Sequence, residues 1–412
     1  MVTTEKPSVG VAPGRGMGMV GNIAGATTEE IARQARERLG KDSLLGPYTA
    51  VHVFWLAGMS CDGCSIAVLG ATAPRVEDLL LGTLPGLPQV FLHHTAINVE
   101  AGEPFMRAAR SAAEGTLGVP YVVVYEGSVA DEARAGEGYW SAVGEELDEA
   151  RGEARAVPSA TWLKRMAPGA AAVIAIGTCA TWGGIPAAYH NPTGAMGVMD
   201  FLGPEYRSAL GLPVVNIPGC APVGDNFTET VAAVLLFLQG LGPVPEFDEL
   251  GRPAWLFSET VHRQCNRAGY YEEGTFADSP GDRECLVEIG CWGPVVNCNI
   301  TSRGAINGVG GCMHAGGVCI GCTMPGFPDK FAPFYKAAPG VLVSSSISKT
   351  GGALVRALRR VTQRDRNHST RWDREKRIPS GWGAEYELPV VDRTLEFLYN
   401  RRQRHGTAAK PE

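Results

Sequence analysis

Between residue 243 and about residue 345 the chain shows almost no hydrophobic periodicity, yet this stretch holds seven of its eleven cysteines, at 265, 285, 291, 298, 312, 319 and 322. Gly, Pro and Asn are dense through it, and YYEEGTFADSPGD (270–282) reads as a solvent loop. So long a stretch with so little regular structure does not order itself around an ordinary apolar core. Metal clusters held by the thiols would supply the missing organisation.

The preceding part of the chain has a different grammar. VHVFWLAG (51–58), VPYVVVYEGS (119–128), AAVIAIGTC (171–179) and LPVVNIPGC (212–220) are short apolar runs, each stopping at a glycine-bearing turn. Stretches of helical composition separate or follow them, at about 65–82, 100–115, 145–156 (EELDEARGEARA) and 227–239 (FTETVAAVLLFLQ). Strands alternating with helices predict an α/β domain with a parallel sheet covered on both faces. Open sheets of this kind bind ligands outside the carboxyl ends of their strands. Cys61, Cys64, Cys179 and Cys220 all follow such ends, so they are expected to converge there although far apart in sequence.

Four regions follow: an N-terminal extension over 1–45, a flavodoxin-like domain over 46–240, an irregular Cys-rich domain over 241–330 and a C-terminal extension over 331–412 that serves an interface or oligomerisation. Helices are expected at 27–40, behind a threonine cap, at 351–361 and at 391–404. Residues 356–377 carry nine Lys/Arg against three Asp/Glu, a run that reads as a solvated or salt-bridged face sooner than a partner or lipid contact.

Composition narrows the function classes. Hydrophobic residues make up 45% of 412, ample for a folded core, and the formal charge of −6 disfavours nucleic-acid binding, which calls for a positive face. Residues 1–24 lack the charged start and continuous apolar core of a signal peptide. The most apolar helical candidate, 230–242, falls short of the roughly 20 residues that span a bilayer. A cytoplasmic protein is expected, touching a membrane only through a partner. In a reducing compartment eleven cysteines point to metal or catalysis rather than disulfides.

Thiolates suit both Zn²⁺ and iron–sulfur clusters. Cys61-Asp-Gly-Cys64 and Cys319-Ile-Gly-Cys322 are pairs able to hold two corners of a site. Thiol exchange needs no supporting set of nine further cysteines. Zinc knuckles join two nearby pairs, whereas here the partners of the first pair arrive singly, more than 100 residues later, which favours iron–sulfur. His262, three residues before Cys265, brings the candidate ligands to twelve, or three groups of four. Scattered thiols acting as small apolar side chains are the bland alternative.

These motifs, spread over about 50–330, resemble the small, electron-transferring subunit of [NiFe] hydrogenases, in particular the soluble high-affinity actinobacterial type. The resemblance implies a proximal [4Fe–4S] cluster on Cys61, Cys64, Cys179 and Cys220, in MSCDGC, GTCATWGG and PGCAPVGDN. It implies a distal [4Fe–4S] cluster on His262, Cys265, Cys285 and Cys291, and a medial cluster on Cys298, Cys319 and Cys322. Many family members have proline where Cys312 stands, leaving three ligands; Cys312 restores a fourth, so a third [4Fe–4S] cluster is expected. Oxygen-tolerant membrane-bound relatives carry two extra cysteines around the proximal cluster, whereas here Gly63 stands directly before Cys64 and no cysteine remains unassigned. Asp62 reads either as a turn residue or as an iron ligand in place of Cys61.

The resemblance further implies a large subunit that holds the Ni–Fe centre oxidising H₂, an acceptor such as a quinone, and a dimer of heterodimers or larger. Glu126, at a strand end, is expected to bind local backbone N–H groups or, at the partner interface, to assist proton movement or anchor the cysteine loop. Trp182 and Trp292 read as screens for a cluster or as ordinary packing. Two other readings compete: an iron–sulfur subunit of complex I type, which would lack the ligands from 262 to 322, and a structural zinc scaffold.

Overall fold

The computed structural model describes residues 45–98, 100–148, 152–337, 345–349 and 352. The helices expected at 27–40 and 391–404, and nearly all of that at 351–361, lie outside these residues, as does the basic run at 356–377.

Five strands form one parallel sheet: β1 (Ala50–Ala57), β2 (Gln89–His94), β3 (Tyr121–Glu126), β6 (Ala172–Ile176) and β7 (Val215–Ile217). Their order is β2-β1-β3-β6-β7. Counting only these strands, that is 2-1-3-4-5, one of the common doubly wound orders. The central strands YVVVYE and AVIAI are buried at every position, as a sheet covered on both faces requires. Helices α1 (Gly63–Leu69), α2 (Val76–Leu80), α3 (Glu103–Ala113), α4 (Ser159–Met166), α5 (Gly177–Trp182), α6 (Val198–Leu202) and α7 (Gly224–Leu238) supply the covers. One face packs Phe54, Val123 and Val173 against Trp162, Leu163 and Met166 of α4. The other packs Val53, Val124 and Ile174 against Phe227, Val231 and Leu235 of α7.

Three expectations are corrected here. EELDEARGEARA folds as an antiparallel hairpin, β4 (Ala142–Asp148) with β5 (Glu153–Pro158), rather than a helix. Gly152 has φ +69 directly before β5, and the cross-strand pairing of β4 with β5 outweighs the good helix propensity of Glu, Ala and Arg, which tertiary context routinely overrides. The stretch 65–82 breaks into α1 and α2, since Gly70 caps the first and Pro74 stands before the second. Finally, β2 forms where no strand was expected; QVFLHH is an edge strand without a clean apolar run.

Beyond α7 regular structure nearly vanishes. The helices there, Ala254–Phe257, Val261–Gln264, Ala268–Glu272 and Ile300–Arg303, have four or five residues each. Their core consists of Val261, Leu286, Met313, Phe327 and Phe331 packed with Cys291, Cys298 and Cys319. Polar staples take the place of ladders. Arg267, for example, donates to the carbonyls of Asp282, Glu284 (3.0 Å) and Met313 (3.1 Å), tying three loops.

A buried polar pair bolts this region to the sheet domain. Asn226 of α7 and Asn299 exchange reciprocal amide hydrogen bonds of 2.9 and 2.8 Å. Within the irregular region itself Arg252, 5% exposed, pairs with Asp248 at 2.7 Å and donates to the Thr323 carbonyl.

Candidate thiol-rich site

At the carboxyl end of β1 the chain turns through Gly58 and Met59 and delivers Cys61-Asp62-Gly63-Cys64 to the start of α1. Asp62 is the residue before the helix and adopts φ +60, a left-handed conformation that Asp tolerates. Its N–H donates to Ser60 Oγ at 3.0 Å, which fits the turn reading.

Glu126, 1% exposed at the end of β3, organises this loop. It accepts from the backbone N–H of Cys64 (3.0 Å) and Ser65 (3.3 Å), from Trp55 Nε1 (2.9 Å) and from Ser65 Oγ. These N–H groups lie 62 and 61 positions away, so the carboxylate anchors the Cys64 loop, the second of the roles expected of it, rather than binding sequence-local backbone. Trp55, Ser65 and His94 carried no sequence signal, because they meet Glu126 only through the register of three strands and a helix.

Cys179 enters on α5 and Cys220 follows β7. Gly177, at φ +85, lies so close to Cys64 that a Cβ there would sit 2.3 Å from its Sγ. A Cβ on Gly184 would meet Cys179 Sγ at 2.7 Å. Between them Thr178 acts as a hinge pin: its hydroxyl donates to the Cys322 carbonyl (2.7 Å) and accepts from Gly219 N–H (3.1 Å). The sheet edge and the CIGC motif are thus tied through one side chain.

Electrostatics identify which thiols are neighbours. Burial, then Glu126, then Cys179, Cys61 and Cys220 push the Cys64 thiol far above its usual range. Burial and then Cys298, Cys312 and Cys220 raise Cys322, opposed by a hydrogen bond from the Cys220 backbone. Cys319 feels Cys291, Cys322 and Cys298 after burial, and its N–H lies 3.4 Å from Cys291 Sγ. Cys285, pushed by burial to about 12, feels Cys291 and Cys265. Burial with Cys291 also raises Cys265, to about 11, and Cys312. The thiols therefore run without interruption from the sheet edge into the irregular region. His262 stands apart from this series: burial lowers its pKa, Glu272 opposes, and its ring contacts Tyr271 edge-on at 4.9 Å.

Neighbourhood is not convergence. Among the described residues no group of three or more His, Cys, Asp or Glu side chains is gathered so as to hold a metal ion, and all eleven cysteines are free. The expectation of three [4Fe–4S] clusters is corrected accordingly. In this structure Cys291, Cys298 and Cys319 pack against Phe327, Phe331 and Met313, the role of small apolar side chains. Burial raises the pKa of all three, which opposes the thiolate form a ligand must take. Trp292 stacks edge-on with Phe331 at 4.9 Å and Trp182 donates to the Thr323 carbonyl, both ordinary packing roles.

Comparison with known proteins decides the family. The profile for the C-terminal part of the NiFe/NiFeSe hydrogenase small subunit matches residues 257–335. The small subunit of the periplasmic [NiFeSe] hydrogenase of Desulfomicrobium baculatum is 34% identical over 287 residues, covering 69% of this chain and 87% of that protein. This chain belongs to the NiFe/NiFeSe hydrogenase small subunits. An actinobacterial-type NiFe-hydrogenase structure from Ralstonia eutropha H16 is similar with a TM-score of 0.74 at 45% identity, covering 84% of this chain and 98% of that one. The Escherichia coli K12 Hydrogenase-2 small chain is 33% identical, covering 66% of this chain and 67% of its own.

A second profile, the NADH ubiquinone oxidoreductase 20 Kd subunit, matches residues 61–234. That is the sheet domain with its four cysteines, the part in which a complex I type protein and a hydrogenase small subunit were expected to agree. The match over 257–335 separates the two readings in favour of the hydrogenase small subunit. Among the described residues of this small subunit no helix is long and apolar enough to cross a membrane.

Proposed function

We propose that this chain is the electron-transferring subunit of a [NiFe] hydrogenase that oxidises H₂, the nickel–iron chemistry belonging to a large subunit docked at the sheet edge. The observation that carries this reading is the uninterrupted series of neighbouring thiols from Cys64 and Cys220, through Cys322 and Cys319, to Cys291, Cys265 and Cys285. Iron and sulfide bound by such thiols supply one-electron redox chemistry.

The chain's own residues do the rest. Cys61, Cys64, Cys179 and Cys220 are the proposed iron ligands at the sheet edge, with Asp62 beside them. His262, Cys265, Cys285, Cys291, Cys298, Cys312, Cys319 and Cys322 are the proposed ligands beyond it. Because these thiols are neighbours that do not yet converge, holding iron requires them to release protons and their loops to close. Glu126 fixes the backbone of Cys64 while they do so, and Thr178 keeps the two regions in register. Phe327, Phe331 and Trp292 exclude water from the inner thiols, which tunes the potential of any centre there.

In this reading residues 46–240 form the flavodoxin-like unit and 241–330 the conducting one; 1–45 and 331–412 are extensions serving assembly, as a dimer of heterodimers or larger. The eleven free thiols fit a reducing cytoplasm, and the acceptor is a small electron carrier such as a quinone.

The reading is tested by expressing the chain with its large subunit and assaying H₂-dependent reduction of a viologen dye and of a quinone. Activity that needs both chains, and falls at least tenfold when Cys64 is replaced by Ala in a folded complex, is expected. Full activity from the large subunit alone would overturn the proposal.

A further inference from the structure

Beneath the turn that leads out of β1, on the sheet face opposite to Glu126, lies a group of polar atoms that the thiol site does not use. Among the described residues, Tyr125 Oη, Glu132 Oε1 and Ser141 Oγ are buried and find no hydrogen-bond partner in the protein. Leaving such atoms unpaired is costly, and native structures hold few of them.

Each of the three is fixed in place. Tyr125 is fully buried in the apolar layer that also holds Val129, Val143 and Trp162. Its hydroxyl lies under Gly58, where a Cβ would come within 2.6 Å of it. Glu132 is held through its other oxygen, which accepts from the Trp140 N–H at 2.9 Å. Ser141 is held through its carbonyl, which accepts from the Ser159 N–H at 3.0 Å. The three groups sense one another. Burial foremost raises the pKa of the Tyr125 phenol; the Ser141 hydroxyl comes near enough to oppose that rise without reaching hydrogen-bond geometry, and the Glu132 charge adds to it. They therefore surround one place and stand too far apart to pair directly.

The chemistry of the three selects the ligand. Two are hydroxyls whose hydrogens need an acceptor, and the third is a carboxylate oxygen that needs a donor. A metal or ammonium cation would answer the carboxylate and leave both hydroxyl hydrogens unpaired. A water molecule accepts from both hydroxyls and donates to the carboxylate, within the two to four partners that internal waters use.

We propose that Tyr125, Glu132 and Ser141 bind one internal water molecule, which latches the loop over residues 131–141 onto the end of β3. Because the phenol supports Gly58, in the turn that delivers Cys61, the latch steadies that turn as well. The proposal stands on these three side chains and does not depend on the hydrogenase reading.

The test is a high-resolution crystal structure of the two-subunit complex, native and soaked in rubidium chloride, joined to hydrogen–deuterium exchange of residues 131–141 in the native complex and in the Tyr125→Phe and Ser141→Ala variants. Circular dichroism selects the variants that fold. One peak within hydrogen-bonding distance of all three atoms, free of rubidium and lost in at least one folded variant, is the expected result. In that variant, exchange over 131–141 rises about fivefold or more while exchange in β6 stays unchanged. Direct pairing of Tyr125 with Ser141 or Glu132 and no peak, rubidium in the site, or unchanged exchange in every folded variant would each overturn the proposal.

Discussion

The two regions of this chain are held together by different means. The sheet domain is ordered from within: β-branched runs pair in parallel, and two apolar layers seal them. The region after residue 243 is ordered by what crosses it, namely the Arg267 and Arg252 staples, the Asn226–Asn299 pair and a core in which sulfur does the work of branched carbon. The lesson is that a chain can dispense with regular structure where long polar bolts and buried thiols replace the ladder.

The largest test of this contrast lies in the sheet domain. Trp162, 1% exposed and donating to the Val143 carbonyl, is expected to cost about 3–5 kcal/mol when replaced by Ala, read from chemical denaturation. A loss below about 1 kcal/mol would mean that the apolar layers do not dominate there.

The bolts come next. Asn226→Leu alone leaves Asn299 buried and unpaired and is expected to cost about 1–3 kcal/mol. Asn226→Leu with Asn299→Leu removes both halves and should recover most of that loss. If the double variant is the sum of the two singles, the pair is not a bolt.

An acid-sensitive edge separates the regions further. His93, 6% exposed, has its Nε2 2.8 Å from His52 Nδ1 and no partner for its own Nδ1. Burial, then His52, lowers its pKa to about 4, while Glu100 is the one carboxylate that favours charge on the neighbouring His52. A depressed histidine contributes full stability above the unfolded value near 6.5 and loses it as pH falls toward 4. The expected slope approaches about 1.4 kcal/mol per pH unit in that window. His93→Phe should flatten it; an unchanged slope would exonerate this pair.

The smallest effect belongs to Arg303 and Glu229, 2.5 Å apart and about a third exposed, which join the irregular region to α7. A double-mutant cycle should give about 0.2–1 kcal/mol, shrinking in salt.

The same contrast explains what could be read without a structure. Val122–Val124 and Ala172–Ile176 announced themselves, because strands buried on both faces are continuous apolar runs. Edge strand β2 did not, since QVFLHH mixes polar residues with apolar ones. The hairpin over 142–158 was hidden by a composition suited to helix and emerged only from cross-strand pairing. At the site, spacing exposed the cysteines, and the strand-end position exposed Glu126. Thr178, Asn226, Asn299 and Arg252 left no trace, as each acts on a residue 71–144 positions away. The number of clusters came from counting ligands and their type from the family resemblance, and neither shows whether side chains converge on a metal.

The account rests on the thiol series carrying electrons, and the most direct measurement is low-temperature electron paramagnetic resonance of the anaerobically prepared two-subunit complex before and after H₂, with iron and acid-labile sulfide assayed on the same sample. Sulfide-bound iron on this chain and a signal that grows with H₂ are expected. A chain free of iron, with thiols that alkylate fully after unfolding and no H₂-dependent signal, would contradict it.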